Sequence, residues 1–392
     1  MIMAQPIRKK ILEENPHLMD SAPFYTLLVD GTNLLRICFA DTKVNTNGMH
    51  YGGVFQFLLQ LNLMLKKHHY DYVYVFFDDE NSGVLRHRYY KGYKANRNKN
   101  YDDDGTELSD YAKAVEEKLK SWRSKQRGSS VMSESERLVK ENFARERDLL
   151  LKYFNELYIR WIFDPDTEGD DIIAYYVQHK KPEERIVIMS TDEDITQLIS
   201  DTVCVYNKKM DKYLSTKNFQ RLKGYPIENV VIKKIMCGDT SDNIKNISGL
   251  SEARLFELMP EMKERPVTIN EIKERAKEQI EERLKEKKKP LKWQENIVKG
   301  VSNGEYDGDF YEINRKIIDL SEPMLTDSCR EEISNMMYNV QDPEGRSFSN
   351  LYQYIVNDDI TELRNEKRFD GFFAPFNDLA EREIKKFKAH RN

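Results

Sequence analysis

Two apolar runs of strand character, Tyr25–Val29 and Tyr72–Phe77, end directly in an aspartate. A third, Ile186–Met189, is followed three residues later by another. The segments read TLLVDGTNLLR, VYVFFDD and IVIMSTDEDITQL. Unbroken apolar, β-branched and aromatic runs suit strands buried on both faces, as in parallel sheets. The strands of such a sheet end on one shared edge, and that edge is where α/β folds bind ligands. The pattern therefore constrains the chain to a mostly parallel sheet with helices on both faces and acids along its binding edge. Val203–Tyr206 reads as a fourth strand. Helical periodicity lies between the runs. In Tyr51–Lys67 it sets Val54, Phe55, Leu58, Leu61 and Leu65 on one side, and in Thr167–Gln178 it does so for Ile172, Ile173, Tyr176 and Val177.

Nine acids in five clusters carry the chemistry: Asp30; Asp78; Glu168, Asp170 and Asp171; Asp192 and Asp194; Asp239 and Asp242. Taken singly, the acids at helix starts are ordinary caps, and Asp239 and Asp242 are ordinary turn formers. Asp30 and Asp78, at the ends of buried strands, have no such ordinary explanation. Brought together, so many carboxylates repel one another unless cations sit among them. Oxygen-only donors, without His or Cys, favour Mg²⁺ or Mn²⁺ over zinc. Two such ions about 4 Å apart clamp the attacking and leaving oxygens of a phosphodiester.

A basic, aromatic stretch, RHRYYKGYKANR, follows Asp78 closely. Its cations Arg86, Arg88, Lys91, Lys94 and Arg97 suit phosphates, and Tyr89, Tyr90 and Tyr93 suit unpaired bases. Beside a metal site these cations would clamp a scissile phosphate; alone they are an exposed loop. A second basic run at Lys118, Lys120, Arg123, Lys125 and Arg127 reads as a solvated helix face. The net charge of −5 does not exclude a polyanionic partner, because two divalent ions would return four positive charges.

The 392 residues, 39% hydrophobic, suffice for one large or two ordinary domains. No apolar run approaches the roughly 18 residues of a membrane span, and residues 1–20 lack the apolar core of a secretory signal. Cys38, Cys204, Cys237 and Cys329 form no CxxC and read as reduced thiols, so a cytoplasmic protein without membrane contact is expected. The expected organisation is a polar leader at 1–23, an α/β core at 24–225 with a charged helical insertion at 86–150, and a helical region at 226–392. Lys273–Lys289 is a mixed-charge helix. The aromatic stretch Phe369–Phe376 is either a tail packed on the core or a docking surface.

In this order the motifs VDGTNLLR, FFDD, RHRYYKGYKANR, EGDD, STDEDITQL and GDTSDN resemble the flap endonuclease / 5′-3′ exonuclease family over about residues 24–260. Gly169 stands where the family's EADD has Ala, and YKxxR appears as Tyr93-Lys94-Ala-Asn-Arg97. Length and helical second half look most similar to the T-even phage ribonuclease H type. The resemblance implies a 5′ nuclease core related to PIN domains, a helical arch at 98–150 that admits a single-stranded 5′ end, and a DNA-binding C-terminal domain. It places Asp30, Asp78, Glu168, Asp170 and Asp171 around a first Mg²⁺. It sets Asp192 and Asp194 between the ions, and Asp239 and Asp242 at the second. Lys94 and Arg97 would contact the scissile phosphate, with Asp78 and Asp192 in the catalytic set. Arg86, Lys91 and Tyr93 complete the nucleic-acid contacts.

After GDTSDN the family carries a Gly-hydrophobic-Gly hairpin, sometimes with bound K⁺. Here Ile247-Ser-Gly249-Leu250-Ser251 lacks the second glycine. The resemblance implies a monomer acting on DNA with a 5′ flap or 5′ end, or on RNA–DNA hybrid. In the phage subgroup, a single-strand-binding protein and a sliding clamp are the partners expected. The expected function is two-metal phosphodiester hydrolysis in DNA replication. The alternatives are a catalytically idle DNA-structure-binding factor and a PIN-type ribonuclease.

Overall fold

The computed structural model describes residues 24–79, 82–95 and 131–391. The leader 1–23, Arg97 and most of the expected arch, including the second basic run, lie outside the described residues.

The four expected strands form, and two more join them. β1 (Phe24–Asp30), β2 (Tyr72–Asp78), β3 (Arg160–Asp164), β4 (Glu184–Met189) and β5 (Val203–Asn207) are parallel, and β6 (Lys212–Leu214) returns antiparallel beside β5. The order is β3-β2-β1-β4-β5-β6. The chain moves outward through β1, β2 and β3, then crosses back to β4, so the strand order reverses between β1 and β4. That reversal opens a crevice at the carboxyl ends of the two strands. Register places Asp78 level with Asp164 and Val29 level with Met189. β3 escapes a search for unbroken apolar runs because it is an edge strand, RWIFD, with charged residues at both ends and alternating burial.

Helices cover both faces. α1 (Gly31–Cys38) and α2 (Gly52–Lys67) lie on one face with α3 (Val131–Glu156), and α4 (Gly169–His179) lies on the other. The first core joins Leu27, Val29 and Phe77 of the sheet to Phe57, Leu58 and Leu61 of α2. The second joins Leu28, Tyr74 and Phe76 to Ile172 and Ile173 of α4. Gly31 is required by the close crossing of α1 over β2. A β-carbon there would stand 2.7 Å from the Phe76 carbonyl oxygen and 2.8 Å from the Phe77 ring.

Beyond β6 the chain is helical among the described residues. α5 (Phe219–Lys223), α6 (Asn229–Cys237), α7 (Glu252–Leu258), α8 (Ile269–Lys285), α9 (Lys292–Lys299) and α10 (Phe310–Ile318) come first. α11 (Asp327–Tyr338), α12 (Phe348–Asn357) and α13 (Glu366–Arg391) follow. A third core, with Ile235, Leu255, Ile272, Ile297 and Phe310, also buries Tyr90 and Tyr93 of the basic stretch. The last helices return to the sheet, where Leu351, Ile355, Phe369, Phe373 and Phe376 belong to the first core. Of the two readings of the aromatic stretch, packing on the core is the one observed: Phe369, Phe373 and Phe376 are buried and offer no docking surface. Among the described residues no helix is long and apolar enough to cross a membrane.

Phe376, on α13, is fully buried in the first core. Truncating it leaves a cavity, so Phe376→Ala is expected to lower stability by about 3–5 kcal/mol in urea unfolding. A docking residue would cost little.

Candidate metal centre

Asp30 ends β1 and caps α1. Its Oδ1 accepts the Asn33 N–H at 3.0 Å, and its Oδ2 accepts the Ser190 hydroxyl at 2.9 Å. The same Ser190 oxygen accepts the Asp192 N–H at 3.0 Å, which ties the acid after β4 to the acid of β1 across the crevice. Asp78 is fixed from two sides. Its N–H donates to the Thr32 hydroxyl at 3.0 Å, and its Oδ2 accepts the Gly169 N–H at 3.2 Å. The start of α4 thus meets the ends of β1 and β2. A β-carbon at Gly169 would lie 3.7 Å from Asp78 Oδ2 and 3.9 Å from Asp30 Oδ1, ordinary contact distances. Asp164, which the sequence reading passed over with its strand, accepts the Asp166 and Thr167 N–H groups, both at 2.8 Å, and so shapes the turn that delivers Glu168.

Two oxygen-rich groups result. Glu168, Asp170 and Asp171 each offer an oxygen within 4.8 Å of the others, and Asp194, Asp239 and Asp242 do the same. Asp192 lies between them, repelled by Asp170 of one group and Asp242 of the other. All nine acids thus come to one edge of the sheet, and hard-oxygen donors in two groups suit two divalent cations.

Three side-chain cations stand among the acids. Arg86 donates Nη1 to Glu168 Oε2 and Asp171 Oδ2, and Nη2 to Asp171 Oδ1 at 3.1 Å. Lys94 Nζ pairs with Glu168 Oε1. Lys234 of α6 pairs with Asp194 and, at 2.8 Å, with Asp239. The sequence reading missed Lys234, though it precedes Gly238 by one helical turn and so faces the Asp239–Asp242 turn.

The basic stretch divides. Arg86 is 3% exposed and its Nε donates to the Ile317 carbonyl at 2.9 Å, so it holds acids rather than facing a phosphate. Tyr93, also 3% exposed, donates its hydroxyl to Glu168 Oε2 at 2.9 Å, and its ring is closed to a base. Tyr90 is stacked on Tyr306 with ring centroids 4.6 Å apart. Lys91 and Tyr89 are exposed, and Lys94 is partly so. Lys94 sits in a left-handed turn, φ 53°, whose N–H donates to the Asp242 carbonyl at 2.8 Å. Asn243 Nδ2 donates to the Gly92 carbonyl at 2.6 Å. These two bonds lock the basic turn onto the second acidic group.

Asp171, like Glu168, is buried with both oxygens engaged by protein donors. Its Oδ1 accepts Arg86 Nη2 and the Met324 N–H at 2.9 Å, its Oδ2 accepts Arg86 Nη1, and it is 1% exposed. Through both oxygens it holds Arg86, which also bonds Glu168.

The electrostatics record the crowding. Burial, then repulsion from Asp78 and Asp192, pushes Asp30 up to about 8. Burial also raises Asp194, against the pull of Lys234. Asp239 goes the other way: burial opposes ionisation, but Lys234 and Ser241 outweigh it and hold the carboxyl at about 2. Lys234 itself is raised, its burial outweighed by Asp194, Asp239 and Asp242. A carboxyl raised on folding keeps its proton longer in the folded state than in the unfolded one. Its stabilising effect is complete below the unfolded value near 3.8 and is lost as pH rises through about 8 for Asp30. In chelator, the site's contribution to melting temperature is therefore expected to fall between about pH 4 and about pH 8. Mg²⁺ should restore more at the upper end, which a thermal-shift series reads directly.

The family described as 5′-3′ exonuclease, N-terminal resolvase-like domain, matches residues 25–224. A 5′-3′ exonuclease of Mycoplasmopsis pulmonis is 26% identical over 228 residues, 58% of this chain and 63% of that protein. DNA polymerase I of Bacillus subtilis is 24% identical over 267 residues, 66% of this chain and 26% of that protein. The chain thus spans less than two thirds of either relative. The structure of the T5 5′-exonuclease with bound divalent zinc superposes with a TM-score of 0.53 at 16% identity, over 85% of this chain and 98% of that one, a likeness of fold. With half of its length matched by the family and that fold in place, the chain belongs to the 5′-3′ exonuclease family.

Proposed function

We propose that the protein is a structure-specific 5′ nuclease that hydrolyses phosphodiesters in DNA replication, by a two-metal mechanism. The observation that carries this reading is the pair of oxygen-donor groups flanking Asp192 at the sheet's switch point, with Lys94 beside them. Asp30, Asp78, Glu168, Asp170 and Asp171 would hold one ion directly or through water, Asp192 and Asp194 would lie between the ions, and Asp239 and Asp242 would help hold the other, with Asp171 also positioning Arg86. Bound there, Mg²⁺ or Mn²⁺ would lower the pKa of a coordinated water and neutralise charge on the scissile phosphate.

The chain's own residues do the rest. Nine carboxylates against Arg86, Lys94 and Lys234 leave six negative charges when every acid is ionised. Such an edge repels a phosphate by itself. Lys94, tethered to Glu168 and partly open to solvent, offers a cation where a phosphate oxygen would approach, and exposed Lys91 adds charge on the same turn. Arg97 is assigned the same role from its place in the motif. DNA with a 5′ flap or 5′ end and RNA–DNA hybrid are the proposed substrates, the latter from the likeness to the T-even phage ribonuclease H type. Work in the cytoplasm as a monomer, with a single-strand-binding protein and a sliding clamp as partners, belongs to the same proposal.

A 5′-labelled flap, a nicked duplex and an RNA-primed duplex, each with Mg²⁺, test it. Release of short 5′ products is expected. Asp78→Ala and Asp192→Ala should each lower the rate by at least about 100-fold, since a bound ion contributes several kcal/mol to the transition state. Full activity in either variant would sink the two-metal assignment. Tight binding in Ca²⁺ with no cleavage in Mg²⁺ would favour an idle DNA-structure-binding factor.

A further inference from the structure

A basic turn at residues 90–95 and an acidic turn at 239–244 meet beside the second acidic group, and one side chain joins them. Lys94 of the first turn has φ 53°, and Asn243 of the second has φ 55°. Left-handed backbone is disfavoured for most side chains, and asparagine tolerates it better than most. From that conformation the Asn243 amide reaches out of its own turn. Its Nδ2 donates to the Gly92 carbonyl at 2.6 Å, while its Oδ1 accepts Lys245 Nζ. The Gly92 carbonyl also accepts the Ala95 N–H at 3.2 Å, so the oxygen that Asn243 holds is the one that closes the turn around Tyr93 and Lys94. The Lys94 N–H in turn donates to the Asp242 carbonyl at 2.8 Å.

One segment of the helical half supports both turns. Tyr306 stacks on Tyr90 with ring planes 5° apart. Its hydroxyl accepts the Lys245 N–H at 3.2 Å and donates to Asn314 Oδ1 at 2.8 Å. Asn314 is fully buried, and its Nδ2 donates to the Ile235 and Lys245 carbonyls at 3.1 and 3.2 Å. This frame sets where the two turns lie. The conformation of Lys94 within its turn is a separate matter. A lysine keeps a positive φ only where its surroundings hold it there, and the bonds from Asp242 and Asn243 do so. The direction of the Lys94 side chain follows from that φ.

We propose that Asn243 is a positioning residue for Lys94: by holding the Gly92 carbonyl it fixes the left-handed turn that aims Lys94 at the scissile phosphate. This rests on the nuclease reading above. The test is a double-mutant cycle on the full chain, read as single-turnover cleavage of a 5′-labelled flap at saturating Mg²⁺. Asn243→Gly keeps the positive φ and removes the amide. It is expected to slow cleavage about 10- to 100-fold, the scale of a catalytic group misplaced by about 1 Å. In a chain that already carries Lys94→Ala, the same substitution should cost less than about twofold, because residues that act through one another are not additive. Ca²⁺ affinity without DNA, read by calorimetry, should be unchanged, because the effect runs through Lys94 and not through Asp242. Asn243→Asp keeps the φ and the bond to Lys245 but loses the Nδ2 donor. It should repeat the loss, and it takes the place of Asn243→Gly in the cycle if the glycine variant does not fold. Equal losses in the two backgrounds, an unchanged rate in Asn243→Gly, full activity of Lys94→Ala, or a Ca²⁺ affinity that falls with the rate would each overturn the inference while leaving the nuclease reading intact. An unaltered chain that does not cut the flap would overturn both.

Discussion

Mutual repulsion among carboxylates at the carboxyl edge of the sheet is the constraint to which the rest of the structure answers. Buried charge is tolerated only when paired, hydrogen-bonded or neutralised. Each device appears here. Asp30 is held by Asn33 and Ser190, Asp171 is matched bidentately by Arg86, and Lys234 is inserted between Asp194 and Asp239. The residual negative charge is what suits the edge to hard divalent cations.

Much of that neutralisation comes from far along the chain. The last turn of α10 and the segment after it lie against the site. The Ile317 carbonyl fixes Arg86, the Met324 N–H fixes Asp171, and Thr326 donates to Asp164 at 3.3 Å. Gln197, four residues past Glu193, accepts the Leu320 N–H at 2.8 Å and so ties the same segment to the turn carrying Asp194. The helical half and the sheet therefore build the candidate metal centre jointly. The last helices, whose aromatic residues complete the first core, reinforce that dependence.

The hairpin Ile247–Ser251 follows the same logic on a smaller scale. Its carbonyls accept side-chain donors from Asn246, Asn296 and Arg254. Two of those donors flank the turn in sequence, and the third comes from α9. The missing second glycine announced a departure from the family, but only the packing of Trp293 and the reach of Asn296 say what replaced it.

The sequence by itself determined the parallel sheet, the helices between its strands and the acids along one edge. These follow from local rules: the length and unbroken apolarity of buried strands, the 3.6-residue helical period, and the placement of Asp30 and Asp78 where such runs stop. It did not reveal β3, whose alternating edge pattern hides it, nor Lys234, one lysine among many. Tertiary structure alone decided which cation serves which purpose. Arg86 and Lys91 lie five residues apart in the same basic stretch, yet one is buried against Asp171 and the other is exposed. That distinction depends on the 3₁₀ turn Ser82–Arg88 meeting the distant Ile317 carbonyl. Burial is a property of what packs around a residue, and no local pattern encodes it.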